Sequence, residues 1–455
     1  MTGSKKNTPF RKATARSAVR GREGQQRQGA VSRYGVVSQV AQLIDLLDQF
    51  EGPADATISR FFKDRPELGG RDRPLVAEAV YCWLRYRYRI NHLAQSAEGA
   101  PLMRQAKLAL LWSGAPEPVW SAGKQSDNEW LSRVINVSAD DLASEARTCL
   151  PTWFYAKLQA QFGSDRAEQF AQSVLKAAPL DVRVNTLKTT VPDLQHALGR
   201  LGVESAGIEG LPDALRVKGK PALGKSELFQ QGDFEVQDAG SQWVSRLVAP
   251  RRGDLVVDFC AGAGGKTLAI SALMKNTGRV VALDTSERRL QKFKPRAARA
   301  GLSNFYTLVI NDEADERLNK YYGKADRVVC DVPCTGMGTL RRNPDLKFRQ
   351  NLQSLAELNV KQGSILAQAS KLVKPDGRLI YITCSVLQDE NEVIVNAFLM
   401  QNPDFRLRRW TEVLNPGERP KMADTSADFL RMWPEDGESD GFFAAVLQRS
   451  KDPLN

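Results

Sequence analysis

Between positions 254 and 382 five short runs rich in β-branched and other apolar residues recur. They read D-L-V-V-D-F (254–259), G-R-V-V-A-L-D (278–284), F-Y-T-L-V-I (305–310), R-V-V-C-D (327–331) and R-L-I-Y-I (378–382). Helical stretches lie between them, including 285–300 and 352–373. Strands that alternate with helices in this way predict an open, doubly wound α/β sheet. A last apolar run, G-F-F-A-A-V-L-Q-R (441–449), predicts an added strand. In such a sheet, ligands and chemistry collect beyond the carboxyl ends of the strands.

Two cysteines stand at such ends. Cys334 closes D-V-P-C (331–334), and Cys384 lies in I-T-C-S (382–385). If the two preceding strands are neighbours, thiols 50 residues apart in sequence point into one pocket beside Asp331. Paired thiols next to a carboxylate suit attack on an electron-poor ring carbon, as methylation of a pyrimidine at carbon 5 requires. Six cysteines in 455 residues do not make a disulfide framework, and two histidines with no C-x-x-C argue against a zinc site.

The first strand runs into C-A-G-A-G-G-K-T (260–267) and then a helix. A P-loop would need Gly at 260, where Cys stands. The dinucleotide pattern would need Gly at 267, where Thr stands. The remaining loop, Cys260, Ala261, Gly262, Ala263, Gly264, Gly265 and Lys266, suits a nucleoside ligand with no pyrophosphate to cradle, such as S-adenosyl-L-methionine. Asp284 ends the second strand and is placed to bind ribose hydroxyls. Asp312 follows the third and is expected to meet the adenine amino group.

The ends of the chain carry other signals. Residues 1–30 hold eight Lys or Arg against one acid, Glu23, which is seven of the net eleven positive charges. This segment is expected to be a disordered basic tail, and such charge favours a polyanionic partner such as RNA. Residues 31–148 predict a helical, RNA-binding domain: apolar positions 36, 37, 40, 43, 44 and 47 have amphipathic spacing, and further helices are expected over 74–90 and 103–112. The Tyr/Arg mix at 85–89 fits either an RNA surface or arginines snorkelling from an aromatic core face. Residues 149–236 predict an α+β connector with a strand over 180–188, and 237–450 the catalytic domain. No run approaches a membrane span, so a cytoplasmic, monomeric protein without metal is expected.

C-A-G-A-G-G-K-T, D-V-P-C-T-G-M-G-T-L-R-R-N-P-D and I-T-C-S-V-L-Q-D-E-N-E together resemble the motifs of the RsmB/NSUN family of RNA cytosine-5 methyltransferases. R-V-N-T-L-K (183–188), F-E-V-Q-D-A-G-S-Q (234–242) and D-G-F-F (440–443) are similar too. The likeness is greatest to the bacterial RsmB (Fmu/Sun) branch and covers about 150–449. It implies a Rossmann-like, S-adenosylmethionine-dependent methyltransferase domain behind a NusB-like helical domain. It further implies that Cys384 is the nucleophile, that Cys334 assists product release and that Asp331 contacts the target cytosine. Cofactor contacts fall on Cys260–Lys266, Asp284, Asp312 and Asp331. The substrate implied is 16S ribosomal RNA, with tRNA or a non-catalytic assembly role as alternatives. Arg341 and Arg342, after the P-C loop, are expected to hold RNA phosphates. One departure stands out: Gly262-Ala263 replaces the family's usual Ala-Pro, which predicts a more flexible cofactor loop.

Overall fold

The apolar runs pair into an eight-stranded sheet in the computed structural model of the protein, which describes residues 33–96, 100–437 and 439–451. The basic segment 1–30 lies outside the described residues.

Four strands precede this sheet and form one of their own: β1 (Leu180–Val184), β2 (Ser205–Ile208), β3 (Leu211–Val217) and β4 (Phe234–Val236), in the order β2-β3-β1-β4, all antiparallel. The large sheet comprises β5 (Leu255–Asp258), β6 (Arg279–Asp284), β7 (Phe305–Val309), β8 (Ala325–Asp331), β9 (Val373–Thr383), β10 (Phe405–Arg408), β11 (Leu430–Met432) and β12 (Phe442–Arg449). Its order is β10-β12-β9-β8-β5-β6-β7, with β11 paired to β12. The strands β5 to β9 run parallel. Neighbouring residues on β5, β8 and β9 point to opposite faces, and both faces are buried. Val257, Cys330 and Tyr381 enter one core; Val256, Val329 and Ile380 enter the other. A strand covered on both sides needs apolar residues at every position, which is why these runs are unbroken in the sequence.

The C-terminal strand is not an edge addition. β12 inserts between β9 and β10 and runs antiparallel to both, with Phe443 opposite Thr383. The sheet is therefore mixed rather than purely doubly wound. Chain order reverses at β5, with β6 on one side and β8 on the other. That reversal opens a crevice beyond the carboxyl ends of β5 and β8, the usual ligand position in open α/β sheets.

Upstream, helices Arg33–Leu47, Ala54–Lys63, Asp72–Ala94 and Pro101–Trp112 pack around Val36, Val37, Val40, Leu43, Ile44 and Leu47, all buried. The arginines of 85–89 all make contacts within the protein. Arg87 pairs with Asp48, and Arg89 donates to the carbonyls of Ala146 and Arg147. Arg85 is buried and donates to the Arg341 carbonyl at 3.1 Å. These contacts favour the reading of arginines snorkelling from an aromatic core face. The segment after the P-C loop receives these helices. Asp345 accepts from the Ala54 N–H at 3.3 Å, and Phe348 stacks on Phe50 at 4.7 Å between centroids. Lys347 is buried and donates to the carbonyls of Arg85 and Cys149 at 2.6 and 2.7 Å. Among the described residues no helix is long and apolar enough to cross a membrane.

Candidate active site

A cavity of about 420 Å³ lies at the switch point. Its walls come from the loop after β5, the ends of β6, β8 and β9, and the helix Leu352–Ser370, which contributes Lys361 and Ile365. The four strand ends thus bring Cys260–Ala263, Gly265, Lys266, Asp284, Asp331, Cys334 and Cys384 to one space.

The two thiols meet. Cys334 Sγ and Cys384 Sγ are 3.3 Å apart, the separation of a sulfur–sulfur hydrogen bond. The approach depends on a glycine. Gly338 of P-C-T-G-M-G donates its N–H to the Cys384 carbonyl at 2.9 Å, and a Cβ there would stand 2.8 Å from that oxygen and 2.3 Å from the Gly441 carbonyl. Only a residue without a side chain lets the two cysteine loops lie this close. The shared hydrogen bond to Cys384, followed by burial, holds the Cys334 thiol well above its ordinary range. Cys334 therefore stays protonated at neutral pH.

Below the thiols sits a buried carboxylate that the sequence reading did not single out. Glu390 accepts from the Thr335 N–H (2.8 Å), the Thr335 hydroxyl (2.6 Å) and Gln362 Nε2 (3.0 Å). Its own carbonyl accepts from the Tyr381 hydroxyl at 2.6 Å. Asn391 binds the Thr383 hydroxyl and the Ser385 carbonyl. The D-E-N-E run after T-C-S thus ties the two cysteine-bearing loops to one another, and its proximity to the T-C motif was the only signal available.

Asp331 Oδ2 pairs with Lys266 Nζ at 2.6 Å. Burial opposes charge on Lys266, yet Asp331 and then Cys384 outweigh it and raise the ammonium's pKa. A positive charge therefore stands beside the carboxylate in the same cavity as the thiols. Behind the loop, Asp258 is buried with its Oδ2 bound by the Thr267 hydroxyl at 2.6 Å. Desolvation raises its pKa to about 7, against the Thr267 hydrogen bond.

The cofactor loop is shaped by backbone. Gly262 (φ +57°) and Gly264 (φ +80°) adopt left-handed conformations. The Gly262 N–H donates to Asp284 Oδ2 at 2.8 Å, and the Ser286 N–H to Oδ1 at 2.7 Å. A Cβ added at Gly262 or Gly265 would meet nothing within 4 Å. Open space beside loop backbone, with a carboxylate at the end of β6, fits a nucleoside carrying a ribose diol. Asp312 does not line this space. It is exposed and accepts from the Ala314 N–H at 2.8 Å, whereas its neighbour Glu313 lines the cavity and is held by Ser364 and Lys361.

Arg341 and Arg342 are also placed differently from expectation. Arg341 is buried and donates to the carbonyls of Pro434 and Ser439 at 3.2 and 2.5 Å. Arg342 bridges Asp440 at 2.6 Å and Asp238 at 2.7 Å. Both tie the P-C loop to D-G-F-F and to the start of the helix Ala239–Leu247, so they brace the site instead of presenting free charge to phosphate.

A family profile described as 16S rRNA methyltransferase RsmB/F matches residues 245–448, and one described as an RsmF/B-like ferredoxin-like domain matches 150–223. The probable ribosomal RNA small subunit methyltransferase B of Synechocystis sp. is 32% identical over 431 residues, covering 87% of this chain and 95% of the relative. The chain belongs to the RsmB/F methyltransferase family. Among solved structures, PH0851 superposes with a TM-score of 0.74 at 25% identity, covering 92% of this chain and 100% of its own. NSun6 from Pyrococcus horikoshii with SFG gives 0.59 at 21%, covering 66% and 99%, a likeness of fold. As an RsmB/F methyltransferase the protein takes its methyl group from S-adenosylmethionine, and the loop after β5 with Asp284 is the part of the cavity that suits it.

Proposed function

We propose that this RsmB/F methyltransferase modifies carbon 5 of a cytosine in small-subunit ribosomal RNA, through a transient bond between Cys384 and carbon 6 of the base. The observation that carries this reading is the pair of thiols 3.3 Å apart in one cavity with Asp331. Carbon 5 of cytosine is a poor nucleophile. Addition of the Cys384 thiolate to carbon 6 converts the ring to an enamine whose carbon 5 can take a methyl group. When bound, S-adenosylmethionine supplies that group as an electrophilic methyl. The Asp331–Lys266 pair is the charged element on the ring's path, suited to hydrogen-bond N3 and the exocyclic amine as charge builds there. Carbon 5 then gives its proton to water, the carbon 5–hydrogen electrons re-form the carbon 5–carbon 6 double bond, and the Cys384–carbon 6 bond breaks with its electrons leaving on sulfur as a thiolate. Cys334, beside the departing sulfur, is positioned to assist that step. The target base must be single-stranded or leave its stack to reach the thiols.

The relative's name, ribosomal RNA small subunit methyltransferase B, favours rRNA as the substrate. The test is direct. Purified protein, S-adenosylmethionine and 16S rRNA or deproteinised tRNA are incubated, and digested nucleosides are read by mass spectrometry. We expect 5-methylcytosine in the rRNA. A methyl group on cytosine N4, on ribose or on another base would refute the reading.

A further inference from the structure

The cofactor loop carries Gly262-Ala263 at its tip, and the left-handed Gly262 meets no neighbour that would limit it. The turn bond from the Gly264 N–H to the Ala261 carbonyl at 2.8 Å and the Asp284 contact to Gly262 leave the Ala263 carbonyl to be fixed from outside the loop. On the helix Glu287–Ala300, Arg296 donates from Nη1 to the Ala263 carbonyl at 2.7 Å. Its other edge grips Glu235 Oε2 at 3.1 Å from Nη2 and 3.4 Å from Nε. Arg299, one turn on, holds the second oxygen of the same carboxylate. Glu235 is buried, and it belongs to β4 of the small sheet, opposite Arg183 of β1. The small sheet thus reaches the cofactor loop through one carboxylate and one guanidinium.

We propose that Arg296 is a positioning residue for S-adenosylmethionine: anchored by Glu235, it fixes the Ala263 carbonyl and so holds the Gly262–Ala263 backbone in its binding conformation. Arg296 does not line the cavity, whereas Gly262 and Ala263 do, so its effect is exerted through the loop. A planar guanidinium suits this task because it can donate to the carbonyl and to the carboxylate at once in fixed directions. Preorganisation of this kind lowers the ordering cost that the ligand would otherwise meet. The inference rests on the cofactor reading above.

Arg296→Met keeps length and removes every donor, and Arg296→Lys keeps one. Calorimetry with S-adenosylmethionine on the full chain should show Kd rising about tenfold for Met and less for Lys, in line with loss of a charge-assisted hydrogen bond. Hydrogen exchange of the ligand-free proteins should show faster exchange over 260–266 in the Met variant, with the β-sheet core unchanged. At saturating cofactor, kcat should stay within about twofold of wild type while KM for the cofactor rises. Glu235→Gln should move Kd in the same direction. If wild type binds S-adenosylmethionine and both Arg296 variants bind it equally well, the proposal is overturned and the cofactor reading stands. Exchange that speeds up uniformly across the protein would also overturn it, since Arg296 would then serve stability alone. If wild type itself does not bind, the cofactor reading is what fails.

Discussion

Single side chains decide how well the cavity works. Gly264 has φ +80°, and a Cβ there would lie 1.9 Å from the Phe293 ring. Gly264→Ala should therefore destabilise the protein by about 2–4 kcal/mol, combining left-handed strain with a forced shift of a buried ring. Calorimetry should show S-adenosylmethionine affinity falling with it; an unchanged melting temperature and Kd would contradict the loop geometry. Asp258 gives a pH test. Its pKa is raised to about 7 by burial, while an unfolded aspartate titrates near ~3.9. The folded state thus holds the proton more tightly, so the carboxyl costs stability progressively as pH rises from about 4 to 7 and adds nothing further above that. Asp258→Asn cannot ionise. The stability of the variant relative to wild type should rise across that window, by at most about 1.4 kcal/mol per pH unit. Urea unfolding at a series of pH values measures it, and parallel curves for the two proteins would show that Asp258 is not the buried acid described.

At the level of strands and loops, the site is a matter of how closely two loops can lie. Gly338→Ala would set a methyl group against two backbone carbonyls, from Cys384 and Gly441. The P-C and T-C loops should separate, so methyl transfer should fall by about a hundredfold, the order of a 1 Å misplacement. S-adenosylmethionine binding, which uses the other side of the cavity, should be retained. Loss of both together would mean the substitution disturbs more than the thiol pair. The parallel strands and what stands at their ends were legible in the sequence because the central ones are buried on both faces and announce themselves as apolar runs. Cys384, Cys334, Asp331 and Asp284 all reach the cavity for that reason. Less was visible where pairing is long-range or the segment short. β2 reads S-A-G-I and β10 F-R-L-R, neither distinguishable from loop, and nothing local says that β12 slots between β9 and β10. Glu390 drew no attention in the sequence, because only the fold places it against Thr335. Arg341 and Arg342 were expected to hold RNA phosphates, because their partners Asp238, Ser439 and Asp440 lie about 100 residues away in sequence.

Across the whole molecule, the pieces converge on the segment that follows Cys334. The upstream helices meet it at Asp345, Lys347 and Phe348, and D-G-F-F meets it at Arg341 and Arg342. Burial drives the Lys347 pKa down to about 8, with the Arg85 and Cys149 carbonyls as its acceptors. The small sheet braces the opposite wall through Glu235. The walls of the cavity are therefore braced from three directions, while most of the net positive charge lies in residues 1–30, where it suits long-range attraction of RNA. A covalent route through such a pair leaves a signature on the intact protein. Wild type, Cys384→Ser and Cys334→Ser are each incubated with rRNA and S-adenosylmethionine and run on a denaturing gel before and after protease. Cys384→Ser should neither methylate nor form an adduct. Cys334→Ser should accumulate a protease-sensitive protein–RNA adduct, because the base is methylated but not released. An adduct with Cys384→Ser and none with Cys334→Ser would exchange the two roles, and full methylation by both variants would contradict the two-thiol site.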